Sequence, residues 1–281
     1  RYESSAASDV YKRQELAEPY HLNNDQVNFF KKNGFIKLKK VFSPGAVLKL
    51  RAELINLLKK EFKVDPDKEA YDRFLSLEMI WPDNALLRAY VLSPRLGQIS
   101  ANLLEVSAVR LYHDNVLAKQ SGCGRTPWHF DDHHFPLDTN DVVTAWAPAQ
   151  PTPIEMGPLS FAYPLDVHEL IKDVTFEKTG TGYDREVSNN FSKNNVNVNA
   201  TPFELGEVSF HHNLNFHTAS SNRTNCSRIA LANTYYRDGA RVINSPTMVS
   251  GDWQKFMPNV KPGDIAASPL NPICWPVKSE I

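Results

Sequence analysis

Cysteine is scarce in this chain: three residues in 281, Cys123, Cys226 and Cys274, far apart and with no C-x-x-C spacing. A disulfide-stapled secreted scaffold needs an even, dense set, so it is excluded. Reduced thiols in a cytoplasmic setting are the expectation, with a lost targeting segment left open. An excess of charge is missing too. Lysine and arginine number 31 against 32 acidic residues, a formal net charge of −1. A nucleic-acid or anionic-membrane surface requires a basic excess, so neither partner is expected and a small molecule remains. No apolar run reaches the length of about 20 residues that a membrane-spanning helix needs. Internal repeats are also absent. What the chain does have is 42% hydrophobic and 11% aromatic residues, enough for a sizeable core in one domain.

Positions 1–14 stand apart. The string SSAASDVYKRQ at Ser4–Gln14 resembles a translated sequencing-library adapter, so a single domain is expected over 15–281. Within it, residues 22–105 read as a helical support. Asn23 with Gln26 makes a capping box, and Asn33-Gly34 is a stop signal. FIKLKK alternates like a strand. Ser43-Pro44 opens a helix in which Val47, Leu50, Leu54, Leu57 and Phe62 form one apolar stripe, with Lys49, Lys59 and Lys60 on the wet side. Helices are also expected over Asn84–Leu92 and Ser93–Leu104.

From Val106 the texture becomes β-rich, with short runs at 106–119, 142–147, 159–163, 206–212 and 228–236. Helices first and strands later predict a mainly β protein with flanking helices: a sandwich or barrel core over 106–240 and a C-terminal extension over 241–281. An asparagine-rich segment between Lys172 and Thr201 reads as a long loop, serving as a lid or merely flexible.

The densest chemistry lies in PWHFDDHHF, Pro127–Phe135, where three histidines and two aspartates share nine residues. On a strand, positions i and i+2 share a face, so His129 and Asp131 would present an imidazole and a carboxylate together. A third ligand is offered by His211, His212 or His217. Two imidazoles and one carboxylate occupy one face of an octahedron and leave three positions open, the arrangement of non-haem Fe(II) oxygenases. The same residue types also suit Zn(II), so a zinc hydrolase, or a non-catalytic metal-binding jelly-roll module, stands as the alternative. In RIALANTYY, Arg228 shares a strand face with Ala230, Ala232 and Thr234. An arginine beside two alanines leaves a hollow, and its planar guanidinium suits the far carboxylate of 2-oxoglutarate.

The chain here resembles the phytanoyl-CoA dioxygenase family of Fe(II)/2-oxoglutarate oxygenases. WHFDDHHFP is similar to the family's W-H-x-D-x-H-x-F-P block. VVTAW resembles the strand after it, and MGPLSF the turn into the next. His217, followed eleven residues later by Arg228, reproduces the distal histidine and cosubstrate arginine. The resemblance implies a double-stranded β-helix (jelly roll, cupin-like) with Fe(II) held by His129, Asp131 and His217. Arg228 would clamp 2-oxoglutarate, with Lys119 and Trp146 as further contacts. O₂ would be the oxidant and ascorbate a supporting reductant. Asp131 argues for a hydroxylase over a halogenase, which replaces the carboxylate. His133 is expected to line the pocket, Asp132 and His134 to face away, and His211 and His212 to be neighbours only. His113 shares a strand face with Asn115, Leu117 and Lys119 and is expected to meet substrate. Two departures stand out: Ala219 replaces a serine usual two residues after the distal histidine, and YPLDVH replaces a P-G-S-H turn.

Overall fold

The computed structural model describes residues 15–67, 72–171, 174, 182–246 and 252–277. The adapter-like segment 1–14 lies outside them. The chain enters through helix α1 (Asn24–Asn33), where Asn23 and Gln26 complete both halves of the capping box and Gly34, at φ 73°, stops the helix. Strand β1 (Phe35–Leu38) follows, then α2 (Pro44–Phe62), capped by the Ser43 side chain. Leu50, Leu54 and Leu58 on its inner stripe are fully buried, each worth about 2 kcal/mol of transfer free energy. Strand β2 (Phe74–Glu78), α3 (Ala85–Val91) and α4 (Pro94–Leu104) complete the first part.

The rest is mostly strand: β3 (Val109–Lys119), β4 (Thr126–His129), β5 (Val142–Pro148) and β6 (Leu159–Tyr163). After helix α5 (Gly182–Lys193) come β7 (Asn197–Asn199), β8 (Val208–His212), β9 (His217–Ala219), β10 (Arg228–Arg237) and β11 (Ile273–Trp275). They form two antiparallel sheets. The larger has seven strands in the order β1-β8-β5-β10-β3-β11, with β2 added to β3; the smaller runs β4-β9-β6-β7. This is the jelly roll that the resemblance implied.

Alternation along the strands sorts their side chains. Ile229 and Leu231 of β10 join Val143, Ala145 and Ala147 of β5 against the helices. Ala230 and Ala232 point the other way, into a cluster with Trp146, Phe35 and, from the smaller sheet, Phe161 and Leu159. Phe35 stacks on Phe161 with centroids 4.7 Å apart. The hollow between the sheets therefore has an aromatic floor at one side and, on β10, the small residues Ala230 and Ala232 beside Arg228.

One expectation changes. The asparagine-rich stretch is not simply a loop: Tyr183, Val187 and Phe191 recur at helical spacing and bury one face of α5. Residues 172, 173 and 175–181 lie outside the described set. The C-terminal extension packs onto the strands before it. Trp253, Phe256, Met257 and Val260 pack with Tyr112, Phe135 and Tyr236 into a cluster of their own, and β11 pairs with β3. No helix among the described residues is long and apolar enough to cross a membrane.

Candidate active site

His129 ends β4 and His217 begins β9, and the two are direct partners across that antiparallel pair. Their rings lie 4.1 Å apart, centroid to centroid. Each Nδ1 faces a carbonyl two residues back, Pro127 at 2.9 Å and Asn215 at 3.0 Å. Nδ1 is thereby the donor, and Nε2 is left free for a metal, the usual way an outer hydrogen bond fixes a ligand's tautomer.

Asp131 reaches the same point by a route the alternation argument did not foresee. The strand ends at His129, and Asp131 sits in the helical region (φ −91°, ψ −12°) heading a 3-10 turn, Asp132–His134. Its backbone N–H donates to the Asn213 carbonyl (2.8 Å), while the Asn213 amide donates to the Asp132 carboxylate (2.8 Å). That tie swings Asp131 inward. Its Oδ1 lies 3.8 Å from His129 Nε2 and 3.7 Å from His217 Nε2. One ligand atom from each of the three lies within 4.8 Å of the others. Burial alone would raise the Asp131 carboxyl, but the imidazoles of His217, His211 and His129 overcome it and hold the group well below the usual carboxylate range. Burial, reinforced by the neighbouring imidazoles, holds His217 well below its ordinary value. Ionised acid and neutral imidazole are the states a divalent cation needs.

The triad opens on a cavity of about 330 Å³ between the sheets, lined also by Trp146, Leu159, Ala232 and Thr234. Arg228 lies on the same wall and is 2% exposed. One of its terminal nitrogens donates to the Gly157 carbonyl at 2.6 Å, its Cζ lies 5.2 Å from the Trp146 ring, and Nε is buried with no partner. No ion pair involves Arg228 among the described residues. Burial lowers it only to about 10, so it keeps its charge at neutral pH. A buried guanidinium with one backbone acceptor and an aromatic face is strongly under-satisfied, which is the signature of an anion site. Gly157 makes the arrangement feasible: at φ 71°, a Cβ there would collide with the Ser220 carbonyl.

Lys119 behaves differently from expectation. It is fully buried, and its Nζ donates to the carbonyls of Gly124 (2.9 Å), Ser220 (2.9 Å) and Ala219 (3.4 Å). It is not among the cavity-lining residues. Three carbonyls use up the three donors of an ammonium, so nothing remains for a cosubstrate. Trp146 does line the cavity, with its Nε1 unpartnered. His113 lines the far end beside Phe256, whose ring lies 4.8 Å away; burial lowers its imidazole to about 4, so it is neutral.

The pair after Asp131 is exchanged relative to expectation. His134 lines the cavity, whereas His133 does not and instead lies 4.0 Å from the Phe130 ring. The 3-10 turn replaces strand alternation here, rotating successive side chains by about 120° instead of 180°. His211, expected to be a bystander, lines the cavity with its Nε2 3.3 Å from Asp131 Oδ2. His212 is directed away, its Nδ1 accepting from Leu214 N–H (3.2 Å). Thr126, Thr144, Ser76, Glu78 and Phe256 also line the cavity and were not singled out from sequence. Thr144 was within reach of that reading, because it shares the alternating face of Trp146 in VVTAW. Helix α5 contributes no lining residue. Asp184 instead accepts from Trp128 N–H (2.8 Å) and pairs with Arg125, fastening the helix to β4.

Residues 30–230 match the family described as phytanoyl-CoA dioxygenase (PhyH). Among solved structures, the chain is similar to the non-heme alpha ketoglutarate dependent carbocyclase SnoK from nogalamycin biosynthesis: 24% identity, TM-score 0.74, covering 92% of this chain and 99% of that one. The epimerase SnoN from nogalamycin biosynthesis gives 18% and 0.69, covering 89% and 97%. EctD from S. alaskensis, solved with 2-oxoglutarate and 5-hydroxyectoine, gives 15% and 0.68, covering 90% of each chain. No curated protein sequence matches the chain.

Proposed function

From the premise that the chain belongs to the phytanoyl-CoA dioxygenase family, we propose that it is an Fe(II)- and 2-oxoglutarate-dependent dioxygenase that hydroxylates a small molecule. His129, Asp131 and His217 fit the iron: two free Nε2 atoms and one carboxylate oxygen converge, with tautomers already set. Fe(II), 2-oxoglutarate and O₂, once bound, supply the oxidising power to hydroxylate a C–H bond as the oxo acid leaves as succinate and CO₂. The observation that carries the reading is Arg228, a buried cation without a counter-charge in the same cavity as the triad. It anchors the far carboxylate of 2-oxoglutarate, and Trp146 flanks it. A zinc hydrolase gives this arginine no task.

Thr126 is the direct partner of Ala219 on the facing strand and lines the cavity. It offers 2-oxoglutarate a hydroxyl where the family's serine is missing. Phe74, Ser76, His113, Asn115 and Phe256 line the same cavity and make the wall a substrate meets. Glu78, the one carboxylate there, is paired with Lys255 at 2.7 Å. That wall therefore holds no free charge, which suits an uncharged substrate with hydroxyl or carbonyl groups.

The test is succinate release from 2-oxoglutarate with Fe(II) and ascorbate, screened against neutral small molecules, with mass spectrometry for a gain of one oxygen. Asp131→Ala should abolish substrate-coupled turnover. Undiminished hydroxylation in that variant would remove the residue from the ligand set, and zinc-supported hydrolysis in place of succinate release would replace the reading.

A further inference from the structure

The Asp131 carboxylate is divided between two sets of neighbours. Oδ1 faces the Nε2 atoms of His129 and His217, at 3.8 and 3.7 Å. Oδ2 faces away from both, toward His211 Nε2 at 3.3 Å and the Thr144 hydroxyl at 3.5 Å. These two donors are not independent surface groups. His211 on β8 and Thr144 on β5 are direct partners in the larger sheet, so one ladder rung presents both. Thr144 is held in turn by Thr234 at 3.0 Å. The His211 ring is 2% exposed and wedged 4.4 Å from His217 and 5.8 Å from Phe161, centroid to centroid.

We propose that His211 is a positioning residue that keeps Asp131 a one-oxygen ligand, so that the neighbouring coordination positions stay open for a chelating 2-oxo acid. The inference rests on the oxygenase reading above and deepens it. A carboxylate can bind a metal through one oxygen or both, and the second mode takes up a position that 2-oxoglutarate needs. Turning Oδ2 toward the metal would strip His211 of its Nε2 acceptor. Its Nδ1 is already buried without a partner. A second orphaned nitrogen on the same ring adds the desolvation penalty of a lost buried hydrogen bond. The larger sheet thus sets how the acid in the turn after β4 binds. His211 is not itself counted among the three residues whose ligand atoms converge, which fits a role through Asp131.

The experiment uses Co(II) as a visible probe of coordination, with 2-oxoglutarate added by titration to the full chain. Outer partners of metal ligands commonly govern affinity or activity by about 10- to 100-fold. His211→Leu should bind Co(II) within about tenfold of the parent, yet lose about tenfold or more in 2-oxoglutarate affinity. Its Co(II) absorption should already differ before any 2-oxoglutarate is added. His211→Gln, whose amide donor reaches the same oxygen, should restore both. A merely structural histidine would lower the melting temperature in both variants and leave the Co(II) spectrum alone. An unchanged spectrum in His211→Leu, with 2-oxoglutarate affinity within threefold, overturns the proposal. Should His211→Leu not fold, Thr144→Val carries the test: a smaller spectral change in the same direction supports the proposal, and none overturns it. If the parent protein binds Co(II) but takes no 2-oxoglutarate at all, the oxygenase reading itself fails, and only the parent arm reports that.

Discussion

Arg228 and Lys119 face each other directly across the β10–β3 ladder, both buried and both cationic by nature. Their surroundings could hardly differ more. Lys119 has three carbonyl acceptors and no opening to the cavity; Arg228 has one carbonyl, an orphaned Nε and a cavity wall. Burial and then the Arg228 charge lower Lys119 to about 7, whereas Arg228 falls only to about 10. The lesson is that burying a positive charge does not make a binding site. A saturated cation fastens the chain, and an unsaturated one waits for an anion.

Removing the arginine tests the contrast most severely. Arg228→Ala should weaken 2-oxoglutarate by about 2–5 kcal/mol, the cost of stranding one member of a buried charge pair. Isothermal titration would show it, and a change below threefold would mean that the anion sits elsewhere. Fold stability should not suffer comparably, because the ligand-free arginine lacks a full set of partners.

Gly157→Ala strikes both cations at once. The substitution forces an alanine into φ 71° and against the Ser220 carbonyl, which Lys119 uses, while moving the carbonyl that Arg228 uses. A loss of about 1–3 kcal/mol in stability is expected from the backbone alone, together with weaker 2-oxoglutarate binding. Denaturant unfolding and titration on the same sample separate the two effects.

Lys119→Met should show the opposite profile to Arg228→Ala. Orphaned buried carbonyls cost about 1–3 kcal/mol of stability, while 2-oxoglutarate affinity stays within threefold. A large affinity loss in a stably folded Lys119→Met protein would return this lysine to the cosubstrate site.

A further difference lies in pH. Unfolded, Lys119 keeps its proton to about 10.5; folded, it releases it near 7. Between those values the unfolded chain binds more protons, so rising pH favours the fold. From pH 7 to 9 the unfolding free energy should therefore climb more steeply in the parent than in Lys119→Met. Parallel curves would show that the folded lysine titrates normally.

The sequence made some of this plain and hid the rest for identifiable reasons. Caps and amphipathic stripes are local, so α1, α2, α3 and α4 were readable from Asn23, Ser43, Asn84 and Ser93. The β10 face was readable because alternation holds along the whole strand. Asp131 was singled out on the wrong geometry: its inward turn depends on Asn213, more than eighty residues away, and no local pattern carries that. The same turn exchanged His133 and His134. The surroundings of Lys119 were hidden because its partners are backbone carbonyls, which have no sequence signature. The contact of His211 with Asp131 was hidden because alternation on β8 gives a side chain's direction, and not what lies across from it.

Phe256 closes the far end of the cavity from a stretch beyond residues 30–230, the span shared with the family. On the proposed reading, the iron ligands and part of the substrate wall are thus encoded separately. If that reading holds, drift confined to this stretch would retune what is accepted while the triad stays untouched, and relatives with identical triads would not need to share a substrate.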